Sequence, residues 1–255
     1  MLSPGTQPMT SPETENDEPT ELSFVCPPDL AGHIPFPTPA AQHVPDWFRK
    51  LPMELDMPGA EGQPWKTMSA CLPVHDAFAL GWVLPTPFDL GVGRDEEGQL
   101  IFQWPENVPF APVELMNPAQ IGADSPPFQD ALPLKFVNPW RVKLPPGWSA
   151  AFLHPLNHFE LPFRIFDAVV DCDVLQKPVD IPFRWIAAEE QVLLPAGTPM
   201  VQVVPFERRL TPPHADIRAE TPEETAEREA AARTKPGEPS DYARKWRRRH
   251  ETEGT

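Results

Sequence analysis

Thirty-eight of the 255 residues are proline, about three times the ~5% of an ordinary globular chain. Each proline lacks a backbone donor and clashes with a preceding helical turn, so it belongs at strand edges, in first helical turns and in connections. Long helices are thereby excluded from most of the chain. Short strands joined by turns are what remains, and a 40% hydrophobic content allows them a core, though not over the whole length.

The spacing of apolar runs supports the same reading. From Lys135 to Arg208 strand candidates recur about every ten residues, at Phe136–Val142, Trp148–His154, Phe166–Cys172, Val179–Ile186, Val192–Leu194 and Met200–Pro205. The segments PPGW, HPLN, LQKP, AEEQ and PAGTP supply turn chemistry between them, and no helical period intervenes. This pattern predicts an all-β fold, a mainly antiparallel barrel or sandwich with short helices. Thr67 to Val92 reads as an earlier strand-rich block, Arg94 to Gln99 (RDEEGQ) as a hairpin turn leading into Leu100–Trp104, and 105–134 as a Pro-rich connection. Val44 to Leu51 reads as one or two helical turns with Asp46 as N-cap.

The ends differ from the middle. Residues 1–21 are Ser, Thr, Pro and Glu with little to bury, and are expected to be disordered. Residues 22–210 form the expected β-rich domain, and 211–255 a flexible, partly helical charged tail. Thr221-Pro222-Glu223-Glu224 is a helix start, with a Thr cap, proline at the first position and acids in the first turn. A second start at Ser240-Asp241 carries Arg244, Lys245, Arg247, Arg248 and Arg249 around Trp246.

The net charge of −16 disfavours nucleic acid and anionic membranes, apart from weak nucleic-acid contact through that basic cluster. No run approaches the ~18 apolar residues of a membrane span, and no basic-then-apolar leader opens the chain. Three cysteines without a CxxC pair suit free thiols in a reducing compartment, so a cytoplasmic protein is expected.

Strong catalytic signatures are missing: no GxSxG, Walker loop, dinucleotide fingerprint or zinc spacing. His154 and His158 are spaced i,i+4, but Pro155 opposes the helix that would join them. With Asp171 or Asp173 they would make a two-His, one-carboxylate iron set; a turn at a sheet edge is the plainer alternative. His75-Asp76 reads as a turn pair. Asp171 and Asp173 in VVDCDV alternate at the end of an apolar run, which places both carboxylates on one strand face with Cys172 opposite. Such a pair could hold a divalent ion or supply a base, and the competing reading is a strand end dipping into solvent. Gln202, an isolated amide in MVQVVPF, either ties the sheet together or meets a ligand, and the structural role is favoured.

Pro145 to Arg208 resembles the dUTP pyrophosphatase and dCTP deaminase superfamily of β-barrels. PPGWSAAFLHPLN is similar to its Pro-rich turn, strand and PRS-type phosphate segment, DAVVDCDVLQKPVDIPF to its Asp-x-Asp strand, and LLPAGTPMVQVVPF to its closing Gly-x-x-x-x-Gln segment. ALGWVLPTPFDLGV is a looser match to the opening segment. The resemblance implies a water-orienting catalytic role for Asp171 and ligand-binding roles for His154, Asn157, Asp173 and Gln202; the candidate cofactor, a divalent metal, comes from the Asp171 and Asp173 pair itself. His154 and Asn157 stand where that family has Arg and Ser, Val174 or Leu175 where it has Tyr, and its glycine-rich C-terminal loop has no counterpart. The whole chain also resembles a family of bacterial and phage proteins of unassigned activity carrying KF-x-x-PW, PPG-(Y/W)-S, VVD-x-D and GTP-x-x-Q-x-x-PF.

The leading functional expectation is a barrel that binds a nucleotide-like small molecule, with altered or lost pyrophosphatase chemistry. The alternative is a non-enzymatic interaction or assembly protein, including a homo-oligomer. A non-haem metal-dependent oxygenase stands third.

Overall fold

The structure, a computed structural model, describes residues 21–58, 64–122, 132–189, 191–210 and 214–232. The expected disorder of the N-terminus up to residue 20 and the basic cluster around Trp246 lie outside these residues.

Sixteen strands and three helices follow in chain order among the described residues. The first part holds β1 (Ser23–Val25), β2 (Thr38–Pro39), α1 (Asp46–Arg49), β3 (Glu54–Pro58), β4 (Pro64–Lys66), α2 (Leu72–Ala79), β5 (Trp82–Pro85), β6 (Leu90–Arg94), β7 (Leu100–Gln103) and β8 (Val113–Leu115). The second holds β9 (Leu134–Phe136), β10 (Arg141–Lys143), β11 (Trp148–Leu153), β12 (Phe163–Ile165), β13 (Ala168–Val170), β14 (Ile181–Trp185), β15 (Gln191–Leu194), β16 (Pro199–Glu207) and α3 (Pro222–Ala232).

The fold is thus mainly β, in antiparallel sheets ordered β13-β11-β16-β5-β2, β12-β14-β9-β8 and β15-β6-β7, with two-stranded pairs β1-β10 and β3-β4. None of these sheets closes on itself among the described residues. β16 is the longest strand and lies at the centre of its sheet, with Met200, Val201, Gln202 and Val203 buried in succession. One apolar core joins the sheets, and Phe136 lies flat on Phe183 (3.9 Å between centroids) and edge-on to Phe163 (4.9 Å).

Several sequence expectations are corrected. The single strand expected over Phe136–Val142 is two strands, interrupted at Asn138-Pro139. Asn138 Nδ2 donates to the carbonyls of Trp140 (2.8 Å) and Val179 (3.1 Å), and its Oδ1 accepts from Trp140 N–H (3.0 Å). A side chain thereby takes over the hydrogen bonds that a ladder would have made.

Leu72–Ala79, read as strand, is helix α2, because its proline falls in the first turn where no intrahelical donor is lost. His75 is therefore on a helix, not in a turn, and its Nε2 donates to the Ser69 carbonyl (2.8 Å). In α1 the cap position belongs to Pro45, while Asp46 sits in the first turn and pairs with Lys50 at 3.2 Å. α3 starts as expected: Thr221 Oγ1 accepts from Glu224 N–H (3.2 Å), and Glu224 Oε2 accepts from Thr221 N–H (2.7 Å).

Candidate functional site

Asp171 and Asp173 leave the strand before they can alternate along it. β13 ends at Val170, and Asp171 to Val174 form a turn in which the Asp171 carbonyl accepts from Val174 N–H (3.2 Å) and Leu175 N–H (3.1 Å). Both carboxylates still converge, on Arg208 at the end of β16. Asp173 takes Arg208 as a fork, Oδ1 from Nη1 at 3.1 Å and Oδ2 from Nη2 at 2.6 Å, and also accepts Gly147 N–H at 2.8 Å. Gly147 has φ +85°, so the PPGW turn can aim that N–H only where a Cβ imposes no penalty.

Asp171 Oδ1 accepts from the buried Ser149 hydroxyl (2.6 Å) and lies 3.3 Å from Arg208. The two aspartates differ in access: the Asp173 side chain is 5% exposed, that of Asp171 58%. The Arg208 bonds, aided by Gly147, hold the Asp173 carboxyl below the usual range. Cys172 between them turns into the core, and burial, helped by both carboxylates, pushes its thiol up to about 11. An inert thiol and carboxylates bound to a guanidinium make a clasp between β11, the β13 turn and β16.

The histidines lie elsewhere. Asp171 is level with Ser149 at one end of β11, and His154 follows the other end. Five residues of strand separate them, roughly 16 Å. His154 is buried: its N–H donates to Asp167 Oδ1 (2.6 Å) and Nε2 donates to the His158 carbonyl (3.4 Å), so Nδ1 is a buried acceptor with no partner among the described residues.

His158 closes the Pro155–His158 turn, in which Asn157 takes the left-handed conformation (φ +62°) that Asn tolerates. His158 Nδ1 donates to Glu160 Oε1 (2.8 Å), and Trp47 Nε1 donates to Glu160 Oε2 (3.1 Å). Around them Phe48 and Phe78 (4.7 Å) pack with His75 and His158. Burial lowers the pKa of His43 and of His154. Among the described residues no His, Cys, Asp or Glu group of three is placed to hold a metal ion.

Gln202 is structural in its contacts. Its Oε1 accepts Leu156 N–H (2.8 Å) and its Nε2 donates to the carbonyls of Ala77 (3.2 Å) and Leu80 at the end of α2. One amide thus fastens a helix C-terminus and the Pro155 turn to the central strand. Asp171, His154, Asn157, Asp173 and Gln202 therefore do not form one pocket. A cleft of about 630 Å³ along β15 is lined by none of them.

The feature missed by the sequence reading is the β3–β4 hairpin. Met53-Glu54-Leu55-Asp56-Met57 alternates apolar and polar, the signature of a strand with one covered face. Glu54 pairs across with Lys66 and Pro58 with Pro64, with a register shift between the two pairs, so strict alternation does not run the length of β3. The large apolar side chains of the hairpin are largely bare: Met53 is 64% exposed, Leu55 39%, Met57 53% and Trp65 53%. At its base Thr67 N–H donates to the Met53 carbonyl (3.0 Å), and Ser69 Oγ (3.0 Å) and Thr67 Oγ1 both donate to the Pro52 carbonyl. Neither of its outer edges pairs with another described strand. No known protein-family model matches the chain, and no curated protein matches it either.

Proposed function

We propose that this protein is a non-enzymatic assembly protein, joined to a second copy of itself through the apolar face of the β3–β4 hairpin. The carrying observation is the set of large apolar side chains, Met53, Leu55 and Met57 beside Trp65, left largely exposed on one two-stranded hairpin among the described residues. An isolated two-stranded hairpin is marginal in water, and a contiguous bare apolar patch marks a contact surface. A second copy is the occupant that supplies the same face and the same open edges. Two hairpins related by a two-fold axis bury identical patches and close the contact. Each half-exposed Met, Leu or Trp so covered contributes on the order of 1 kcal/mol, and methionines adapt to an imperfect fit.

The nucleotide-binding reading, with Asp171 as a water-orienting carboxylate, has less support. Its candidate residues lie at opposite ends of β11, and Asp173 is engaged by Arg208. The test is light scattering at tens of micromolar chain. Assembly requires at least twice the 28.6 kDa chain mass, reverting to the chain mass in Leu55→Lys and in Trp65→Ser with circular dichroism unchanged. A monomer at every concentration, or an oligomer indifferent to both substitutions, overturns the proposal.

A further inference from the structure

Away from the hairpin, the cleft of about 630 Å³ along β15 is a second contact surface in the making. We propose that it takes an extended basic peptide of a separate partner protein, added as a strand to the open edge of β15. β15 is the terminal strand of its sheet and pairs with β6 on one side. Among the described residues no backbone hydrogen bond outside that ladder reaches Gln191–Leu194. All four residues line the cleft and no residue of β6 or β7 does, so the cleft runs along the unpaired side of the strand. Such an edge presents alternate N–H and C=O groups as a template for another strand. The sequence Gln-Val-Leu-Leu carries neither the charge nor the proline that guards many edge strands.

The opposite wall is fixed. Ile186 N–H (2.9 Å) and Ala187 N–H (3.1 Å) both donate to the Pro162 carbonyl, which holds the segment after β14 against the one before β12. Four residues of strand span roughly 13 Å, and the volume lies within the usual range for ligand clefts. Three large apolar side chains line this space and are mostly exposed, Phe159 at 79%, Leu193 at 65% and Ile186 at 54%. They offer anchorage to the alternate side chains of an added strand.

Charge decides which strand fits. Glu160 and Glu189 line the cleft, and among its described lining residues no Lys, Arg or His does. Glu160 is engaged by His158 Nδ1 and Trp47 Nε1, whereas Glu189 stands exposed at the rim. Arg94 Nη2 reaches the Ala187 carbonyl (3.5 Å), but its guanidinium lines the neighbouring clefts and not this one. On a chain of net charge −16, a Lys- or Arg-bearing segment is attracted. Two copies of this cleft brought together would oppose like charges, so a second copy is the poorer occupant.

The test is selection of linear peptides from a random displayed library on the full chain, then fluorescence anisotropy with the enriched peptide. Enrichment of Lys or Arg beside an apolar residue is expected, with saturable one-to-one binding that slows amide exchange over residues 191–194. Leu193→Ser and Glu189→Lys, both at exposed positions, should each weaken it at least about tenfold. Ile101→Ser on β7 and Leu55→Lys on the hairpin should leave it unchanged. No enriched peptide, enrichment without basic residues, or binding indifferent to both Leu193→Ser and Glu189→Lys overturns the inference. An oligomer that persists in Leu55→Lys and falls to the chain mass in Leu193→Ser would seat a second copy on the cleft and overturn it as well.

Discussion

Replacing Gln202 by Met separates a structural amide from a ligand-binding one. The two side chains are unbranched and close in volume, so the packing change is small. What is lost is polar. Leu156 N–H loses its acceptor at 2.8 Å, and the Ala77 and Leu80 carbonyls lose a shared donor. Ala77 keeps a bond from Leu80 N–H at 3.4 Å, so its loss is partial. An orphaned buried donor costs about 1–3 kcal/mol and a lost ordinary bond about 1, which together give a destabilisation of about 2–4 kcal/mol. At about 2–4 °C per kcal/mol for a domain of this size, the melting temperature should fall by roughly 4–16 °C. Urea denaturation followed by circular dichroism should show the midpoint falling with an unchanged slope. A change within about 0.5 kcal/mol would refute the reasoning and mean that water or a ligand already satisfies these groups.

Gly81→Ala should be worse, because Gly81 has φ +72° and a Cβ there would overlap the Val203 carbonyl oxygen and press on Val204 Cα at 3.3 Å. A loss on the order of 3 kcal/mol is expected by thermal melting, and an unchanged melt would contradict the β5–β16 packing. Burial depresses the pKa of His43 and His154, so the unfolded chain takes up protons below about pH 6.5 while the native state resists them. Stability should be flat above that pH and decline as pH falls towards the depressed values, less so in His154→Gln; a melting temperature constant from pH 7.5 to 5.5 would contradict this. Asp173, with its carboxyl held low by Arg208, has the same sign in a lower window: its contribution is full above about pH 4 and is lost as pH falls through the native value. Asp173→Asn should therefore lower the melting temperature at pH 7 more than Asp171→Asn does, and the gap should narrow as pH falls below about 4; equal effects at pH 7 would mean that the Arg208 fork carries no stability.

Proline density and turn spacing were enough to read the β character and most strands of the second half. Turn chemistry at PPGW, LQKP and PAGT marks strand ends whatever the tertiary context. The errors have physical causes. The strand-rich reading of Thr67–Val92 fails at Leu72–Ala79 because Pro73 falls in a first helical turn, which tolerates it, and the strand reading of Phe136–Val142 fails at Asn138 because its side chain replaces ladder bonds. Asp171 and Asp173 were rightly set apart from Cys172, but a turn rather than strand alternation separates them, and their partner Arg208 is 35 residues beyond Asp173, outside any local pattern. β12 was missed because Phe163-Arg164-Ile165 is only three residues long. The alternation of Met53–Met57 was legible in the sequence, and its exposure was not, since period two says only that one face differs from the other.

Hydrogen exchange on the hairpin, measured against concentration, tests the assembly claim most directly. Backbone amides of Leu55 and Met57 on β3, and of Trp65 on β4, should exchange rapidly at sub-micromolar chain and become protected as concentration rises through the association range, while those of Val201 and Val203 on β16 stay protected throughout. Exchange at Leu55, Met57 and Trp65 that is independent of concentration up to the range where light scattering reports an oligomer would place the contact elsewhere and contradict the account.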